Sequence, residues 1–378
     1  MAGIYIHIPF CKQRCHYCDF HFSTSLLHKN ELIAALLKEL NLQSKEKFIT
    51  DAHIDTIYFG GGTPSLLTEK ELDAILNSVG KWGFVHPQAE ITLEANPDDL
   101  NEKNLSAWKN TGINRLSIGI QSLYDDELKW MNRAHNADEA LHAFDKAQQA
   151  GFEKLSVDFI YGGPLLSDER WEKTLYWIGE KKIPHVSCYA LTIEAKTPLA
   201  KVKRTTEELE ASEEKQSRHF GMLMDHMEAM GYEHYEISNF ALPGKRSQHN
   251  TSYWEGKPYL GIGPSAHSFN GKIRKWNIAS NQKYIRSIGE NIIPATSETL
   301  TDIQQLNEYV MTQLRMTEGI NITAINNRFG EKYTNVLDVA TQRHIKKGHL
   351  QIKDNRIILT KAGKYFADAI AADLFFNV

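Results

Sequence analysis

Cysteine is scarce in this chain, four residues in 378, which excludes a disulfide scaffold at this length. Long apolar runs are missing too: no window approaches the about 18 consecutive apolar residues of a membrane-spanning helix, and Met1-Ala2-Gly3-Ile4-Tyr5 lacks the basic start of a secretory signal. Together these absences predict a cytoplasmic protein with at most peripheral membrane contact. Neither sign of charge is in large excess, with 43 Lys+Arg against 47 Asp+Glu and a net charge of −4. No bulk positive field therefore favours nucleic acid or anionic lipid. What is present is a 42% apolar composition, enough for a large core arranged as two domains or as a barrel with an appendage.

Short β-branched or aromatic-rich runs recur at Ile4–Ile8, Thr56–Gly60, Glu90–Ala95, Arg115–Gln121, Lys154–Tyr161 and His185–Thr192. Amphipathic stretches separate them: Asn30–Gln43, Glu69–Val79, Asn101–Lys109, Asp138–Ala150, Arg170–Gly179, then Glu207–Met230. Six βα units predict a parallel sheet, either open and doubly wound or curled into a partial barrel, with chemistry gathered at the strand C-terminal ends. Residues 1–240 form this unit, and 241–300 read as a Gly/Pro/aromatic-rich extension packing on it. Residues 301–378 read as a separate module: a helix Asp302–Met316, helical segments Ile322–Phe329 and Glu331–Lys347, a hairpin turning at Asp354-Asn355, and a last helix Lys361–Leu374. Helices with a two-stranded wing suggest a winged-helix-like domain. Its ten basic and eight acidic residues are too balanced for a nucleic-acid reader, so no nucleic-acid partner is expected.

Three of the four cysteines fall in Cys11-Lys-Gln-Arg-Cys15-His-Tyr-Cys18, directly after the first strand. Thiolates at C-x3-C-x2-C spacing can take three corners of a [4Fe–4S] cube and leave the fourth iron without a protein ligand. Zinc completed by His16 or Cys188 is the alternative, as are three unrelated core cysteines, whereas c-type haem attachment fails because C-x-x-C-H is absent. Cys188 reads as a buried thiol on the sixth strand. Gly60-Gly61-Gly62-Thr63-Pro64 ends the second strand and lets backbone approach a ligand closely; it is neither a Rossmann nor a Walker loop. Glu94, Gln121, Arg133 (in the helix region after strand four) and Asp158 place polar groups at or near successive strand ends, where ligand contacts or structural hydrogen bonds would offset their burial.

The C-x3-C-x2-C motif, with an aromatic before its last cysteine, resembles the signature of the radical S-adenosylmethionine (SAM) superfamily. The resemblance implies a partial (βα)6 barrel, a [4Fe–4S] cluster on Cys11, Cys15 and Cys18, and SAM chelated through its amino and carboxylate groups to the open iron. There, an electron from the cluster cleaves the sulfonium to a 5′-deoxyadenosyl radical. Tyr5-Ile-His7-Ile-Pro9-Phe10, Tyr58-Phe-Gly60-Gly-Gly-Thr-Pro64, Ser117-Ile-Gly119-Ile-Gln121-Ser122 and Asp158-Phe-Ile-Tyr161-Gly162 are similar to the family of oxygen-independent coproporphyrinogen III oxidase and its heme-chaperone relatives, across nearly the whole chain. Carried over by motif, Tyr5, Gly61 and Glu94 would contact cluster-bound SAM. Tyr17, Gly62, Thr63, Gln121, Arg133, Asp158 and the weaker match Ala190 would line the rest of the SAM region.

Three departures separate the branches. The oxidase has a fourth cysteine two positions after the third, where this chain has Phe20; the oxidase carries an N-terminal arm, whereas ten residues precede Cys11 here; and His249-Asn250-Thr-Ser-Tyr253-Trp254 matches the H-N-x-x-Y-W pattern of the chaperones. The resemblance therefore implies a heme chaperone, with a heme donor protein and apo-hemoproteins such as respiratory enzymes as partners. The rival is the decarboxylating oxidase; a tRNA-acting enzyme has only the winged tail in its favour. An imidazole can ligate haem iron and aromatic rings can pack on the macrocycle, which makes His249, Asn250, Tyr253 and Trp254 candidates, against a buried His-Asn pair stabilising an irregular loop or a stretch that simply closes the barrel bottom or mouth. His267 is a second candidate, open between the SAM pocket and a structural position. Heme on His249, on another residue, or between the protomers of a homodimer are all open on sequence alone.

Overall fold

The computed structural model describes residues 2–46, 48–49, 53–203 and 212–377. Six strands, β1 (Ala2–Ile8), β2 (His53–Gly61), β3 (Phe84–Ala95), β4 (Arg115–Gln121), β5 (Lys154–Tyr161) and β6 (His185–Ala190), lie side by side in chain order and pair in parallel. They belong to one 12-stranded sheet that does not close on itself. Beyond β6 it ends in β7 (Glu233–Glu236) and β8 (Asn239–Ala241). Beyond β1 it continues through β9 (Tyr259–Ile262), β10 (His267–Phe269), β11 (Ile273–Asn277) and β12 (Ala295–Thr299). The fold is thus an α/β partial barrel with one open side and a C-terminal helical domain.

Sequence explains the layering. In β1, Ala2, Ile4, Ile6 and Ile8 are all buried, and His7 on the opposite face is buried too, as expected of a parallel strand covered on both sides. The covering helices bury one stripe each: Asp168–Lys181 turns Trp171, Thr174, Leu175 and Ile178 inward at i, i+3, i+4 and i+7. Each such apolar side chain contributes about 1.5–3 kcal/mol. Thr68 with Glu71 and Asn136 with Glu139 form capping boxes that fix where two of these helices start.

The segment between β9 and β12 is tied to the barrel by Glu39, buried on the first helix. Its carboxylate accepts from the Gly263 backbone amide (2.8 Å), Asn277 (2.7 Å) and the Tyr284 hydroxyl (2.5 Å). Burial raises its pKa and those three donors pull the other way. The C-terminal domain has its own core, in which Leu306, Val310 and Leu314 of helix Asp302–Arg315 meet Ile325, Leu337, Ile357 and Ile370. It docks through Arg315 on the buried Glu236 (2.9 Å), Gln313 on the Trp254 carbonyl (2.8 Å) and Arg274 on Glu308 (2.8 Å).

Several boundaries differ from the sequence reading. The sixth strand ends at Ala190, not Thr192, and the third begins at Phe84. A short helix, Asp125–Trp130, precedes Ala137–Gln149, so Arg133 sits in the loop between them rather than in a helix. The helix expected from Glu207 is observed as Glu213–Ala229, residues 207–211 lying outside the described ones. The last helix breaks in two, Lys361–Lys364 and Ala367–Asp373, where Phe366 leaves helical geometry (φ −122, ψ 20). The hairpin turns at Asp354-Asn355, both at positive φ (49 and 59), the pairing that a tight hairpin needs. A third strand, Ile320–Asn321, joins it.

Candidate functional site

β1 delivers the chain to Pro9 at the barrel's C-terminal end. From there the cysteine segment runs out and returns, closed by Cys11 N–H on the Ser23 carbonyl (3.0 Å) and Ser23 N–H on the Pro9 carbonyl (2.8 Å). The loop after β4 pins it: Gln13 donates to the Asn132 carbonyl (2.9 Å), Asn132 to the Arg14 carbonyl (2.6 Å), and His16 N–H to the Met131 carbonyl (3.0 Å). Lys12 forms ion pairs with Asp98 and Asp99 after β3. Strand ends from across the barrel thus fix one short loop, which orders a segment too polar to pack on its own.

Cys11, Cys15 and Cys18 are free, partly exposed thiols around a cavity of about 110 Å3 that also touches Gly61, Gly62 and Arg133. Burial pushes Cys11 up to about 11, against a hydrogen bond from Thr63, and raises Cys18 as well. The Arg133 guanidinium donates to the Cys15 sulfur at 3.3 Å. Three thiols without a fourth suit the donor set of a cube with one open iron. Zinc completion by Cys188 gains no support, since that thiol is buried within β6; His16 Nδ1 donates to the Trp130 carbonyl (2.8 Å). Among the described residues no three His, Cys, Asp or Glu side chains converge on a single-ion site.

Beside the thiols, the barrel interior holds a polar pocket of about 200 Å3 where Thr63, Glu94, Gln121, Arg133, Asp158 and Asn250 meet. Glu94 accepts from the Tyr58 hydroxyl (2.8 Å) and the Gly61 amide (3.2 Å). Burial, reinforced by the charge of Asp158, raises its pKa to about 7 despite those bonds. Asp158 rises to about 6, chiefly through burial, and accepts from Ser117 (3.3 Å). Arg133 also bonds Asn96 (2.6 Å), the Gly119 carbonyl (2.8 Å) and the Tyr17 hydroxyl (3.3 Å), yet its Nε is buried without a partner. An unpaired buried N–H costs about 1–3 kcal/mol and marks a place where a polar ligand fits.

Two backbone features serve this pocket. Gly61 lies at φ +108, and a Cβ there would fall 2.6 Å from the His7 ring. Gln121 adopts φ 66 at the end of β4, a conformation costing a non-glycine residue about 1–3 kcal/mol, which the site imposes as it turns the chain. Tyr5 stacks on Tyr58 (centroids 6.1 Å apart), behind the pocket rather than lining it. Ala190, at the end of β6, and Tyr17 border an adjoining cavity of about 450 Å3 together with Gln121 and Asp158. Asn96, Tyr58, Ser117 and Gly119 were not among the sequence candidates. Gly119 carried a signal inside Ser117-Ile-Gly119-Ile-Gln121, since a Cβ there would approach Gln121 Nε2 at 3.0 Å.

The H-N-x-x-Y-W residues form the helix Gln248–Trp254, and the structure divides them. His249 is fully buried; Nδ1 meets Thr56 Oγ1 at 2.7 Å, Nε2 meets the Tyr253 hydroxyl at 2.8 Å, and the ring stacks on Tyr58 at 4.9 Å. Both ring nitrogens are committed to hydroxyl partners, so in this geometry the ring's one lone pair already accepts a hydrogen bond. Asn250 faces the polar pocket instead. Glu90 accepts from the His249 amide (3.1 Å) and Ser247 caps the helix, which plugs the N-terminal end of the barrel strands beside Gly3 and Thr56.

Tyr253 and Trp254 line a fourth cavity, about 650 Å3, at the barrel's open side. Tyr5 and His7 form its floor, β9 to β11 one wall, and helix Asp302–Arg315 the other. Phe20, 72% exposed, touches this cavity, the thiol cavity and the one beside Ala190. A large apolar side chain so exposed at a junction of three cavities has no packing role of its own.

Comparison with known proteins bears on this arrangement. Residues 5–178 match the model of the radical SAM superfamily, and residues 300–366 that of the HemN C-terminal domain. The heme chaperone HemW of Bacillus subtilis is 32% identical over 98% of this chain and 98% of its own. That of Mycobacterium tuberculosis is 30% identical over 98% and 94%. Among solved structures, coproporphyrinogen III oxidase (HemN) from Escherichia coli superposes with a TM-score of 0.85 at 20% identity, covering 100% of this chain and 91% of its own, a likeness of fold.

Proposed function

The chain belongs to the HemW family of the radical SAM superfamily, and from that premise we propose that it is a heme chaperone, receiving heme from a donor and delivering it to apo-hemoproteins such as respiratory enzymes. One observation carries the reading: an aromatic-walled cavity of about 650 Å3, within the range of cofactor sites, adjoins the cysteine loop through Phe20, where the oxidase branch has a cysteine. No described helix is long and apolar enough to cross a membrane, which suits a carrier acting at most at a membrane surface.

Superfamily membership implies a [4Fe–4S] cluster and SAM. Cys11, Cys15 and Cys18 would hold the cluster; when bound, the pair supplies one-electron cleavage of SAM. The chain's own residues do the positioning. Gly61 and Glu94 would meet the methionine end, with Tyr5 behind them. Gly62, Thr63, Gln121, Arg133 and Asp158 would bind the remainder, while Tyr17 and Ala190 would border it. Glu94, raised to about 7, couples this to pH. An amino group chelated to iron would still carry N–H donors, which the Glu94 carboxylate accepts better than its acid form, so SAM affinity is full above pH 7 and falls as pH drops below it, by up to about tenfold per unit. Binding titrations of the reconstituted protein between pH 6 and 8 check this. Glu94→Gln is expected to bind weakly with a shallower slope, that of ligand amine deprotonation alone; an unchanged slope in the variant removes Glu94 from the account.

The chaperone reading is tested on one iron-reconstituted sample, by hemin titration and by anaerobic assay with reductant, SAM and coproporphyrinogen. A retained Soret band without protoporphyrinogen is expected. Stoichiometric protoporphyrinogen, or no heme retention, overturns the reading in favour of the oxidase or of another function.

A further inference from the structure

We propose that His267 on β10 is the iron ligand for heme, with the macrocycle lying in the 650 Å3 cavity at the barrel's open side and a propionate on Arg328. This rests on the heme-chaperone reading and names its site.

Ligand inventory selects the histidine. Four lie at or near the cavity. His249 has both nitrogens committed. So has His7, between the Tyr5 hydroxyl (3.1 Å) and the His21 carbonyl (2.9 Å). His21 donates Nε2–H to Asn281 at 2.8 Å and keeps only Nδ1, on a ring stacked against His7 (centroids 6.1 Å apart). His267 makes no side-chain hydrogen bond among the described residues, is exposed on the cavity wall, and is backed by the Trp276 ring at 6.3 Å across the strand pair. Of the lining tyrosines, the Tyr253 hydroxyl is taken by His249 and that of Tyr5 by His7, while Tyr259 meets Arg274 and Tyr309 the Asn321 backbone. Ligation needs only a lone pair from the imidazole to the iron in place of a solvent ligand; no electron or proton changes hands.

The walls suit a flat, anionic, hydrophobic molecule. Phe20, Trp254, Tyr259 and Phe269 present rings to the space. Arg274, at the same wall, is already neutralised by Glu308. Arg328 bonds only the Gln305 amide oxygen (2.7 Å) and has no carboxylate partner among the described residues, leaving its charge for a propionate. Because Gln305, Tyr309, Thr312 and Arg328 belong to the C-terminal domain, heme would bridge the two units. A single protein ligand at an exposed rim also suits a cargo that has to leave.

Hemin is titrated into wild type, His267→Ala, Arg328→Glu and the surface control His142→Ala, following Soret position and affinity. His267→Ala is expected to shift the Soret band and bind at least about tenfold more weakly, and added imidazole to restore the wild-type spectrum. Arg328→Glu is expected to weaken binding with the Soret position unmoved, and His142→Ala to match wild type. A His267→Ala spectrum and affinity equal to wild type, or one that imidazole does not restore, overturns the assignment while leaving the chaperone reading standing. A wild type that retains no heme defeats that reading itself.

Discussion

Single replacement of Cys11, Cys15 or Cys18 by alanine is expected to abolish the iron–sulfur cluster, with complete loss of its visible charge-transfer absorption and labile sulfide. Three thiols surround one cavity with no fourth beside them, so each deletion leaves two protein ligands for a cube that already has one open corner. Cys11 and Cys18 are also poor thiolates before iron arrives: burial holds Cys11 up to about 11 and raises Cys18. Their ionisation depends on the metal, and the pair that remains cannot supply what the third did. Cys188→Ala, at a buried position in β6 flanked by no other thiol, is expected to leave absorption and sulfide intact. Iron and sulfide analysis after anaerobic reconstitution decides it; a full cluster surviving any one of the three replacements overturns the three-thiolate site.

Much of this was legible in the residues because it is local. The six parallel strands announced themselves as β-branched runs, and the cysteine loop fell at the end of the first of them by spacing alone. Glu94, Gln121, Arg133 and Asp158 could be singled out as polar groups at strand ends, and all four line one pocket. What sequence could not supply was direction. H-N-x-x-Y-W reads as one motif, yet on a helix its residues point to different places: His249 into a buried plug, Asn250 to the polar pocket, Tyr253 and Trp254 to the open side. Asn96 was invisible for the opposite reason, since its partner Arg133 is 37 residues away and the bond exists only after β3 and β4 pair. Phe20 stood out as an absent cysteine; its place at the junction of three cavities appears only in the fold.

His249→Ala is expected to cost about 3–5 kcal/mol of stability, the sum of two buried partners left unpaired and an emptied ring site. Thr56 Oγ1 and the Tyr253 hydroxyl lose their only hydrogen-bond partner among the described residues, and Tyr58 loses one stacked ring worth about 0.5–1.5 kcal/mol. The i, i+4 spacing of His249 and Tyr253 matters because it lets one imidazole join its own helix to β2. Burial first, then the nearby Arg115 charge, lowers this histidine from 6.5 to about 3. The native ring therefore stays neutral, whereas the unfolded one takes up a proton as pH falls below 6.5. Its contribution to stability is full above that value and declines from there down to about 3. Denaturant unfolding of wild type and variant at pH 7.5 and pH 5 checks both points: the variant should be less stable at the higher pH, and the gap should narrow at the lower. Hemin titration in the cold, where the variant stays folded, completes the argument, because a plug residue leaves the Soret position unmoved. A His249→Ala protein of wild-type stability that has lost its Soret band would return the iron to this histidine and remove it from His267.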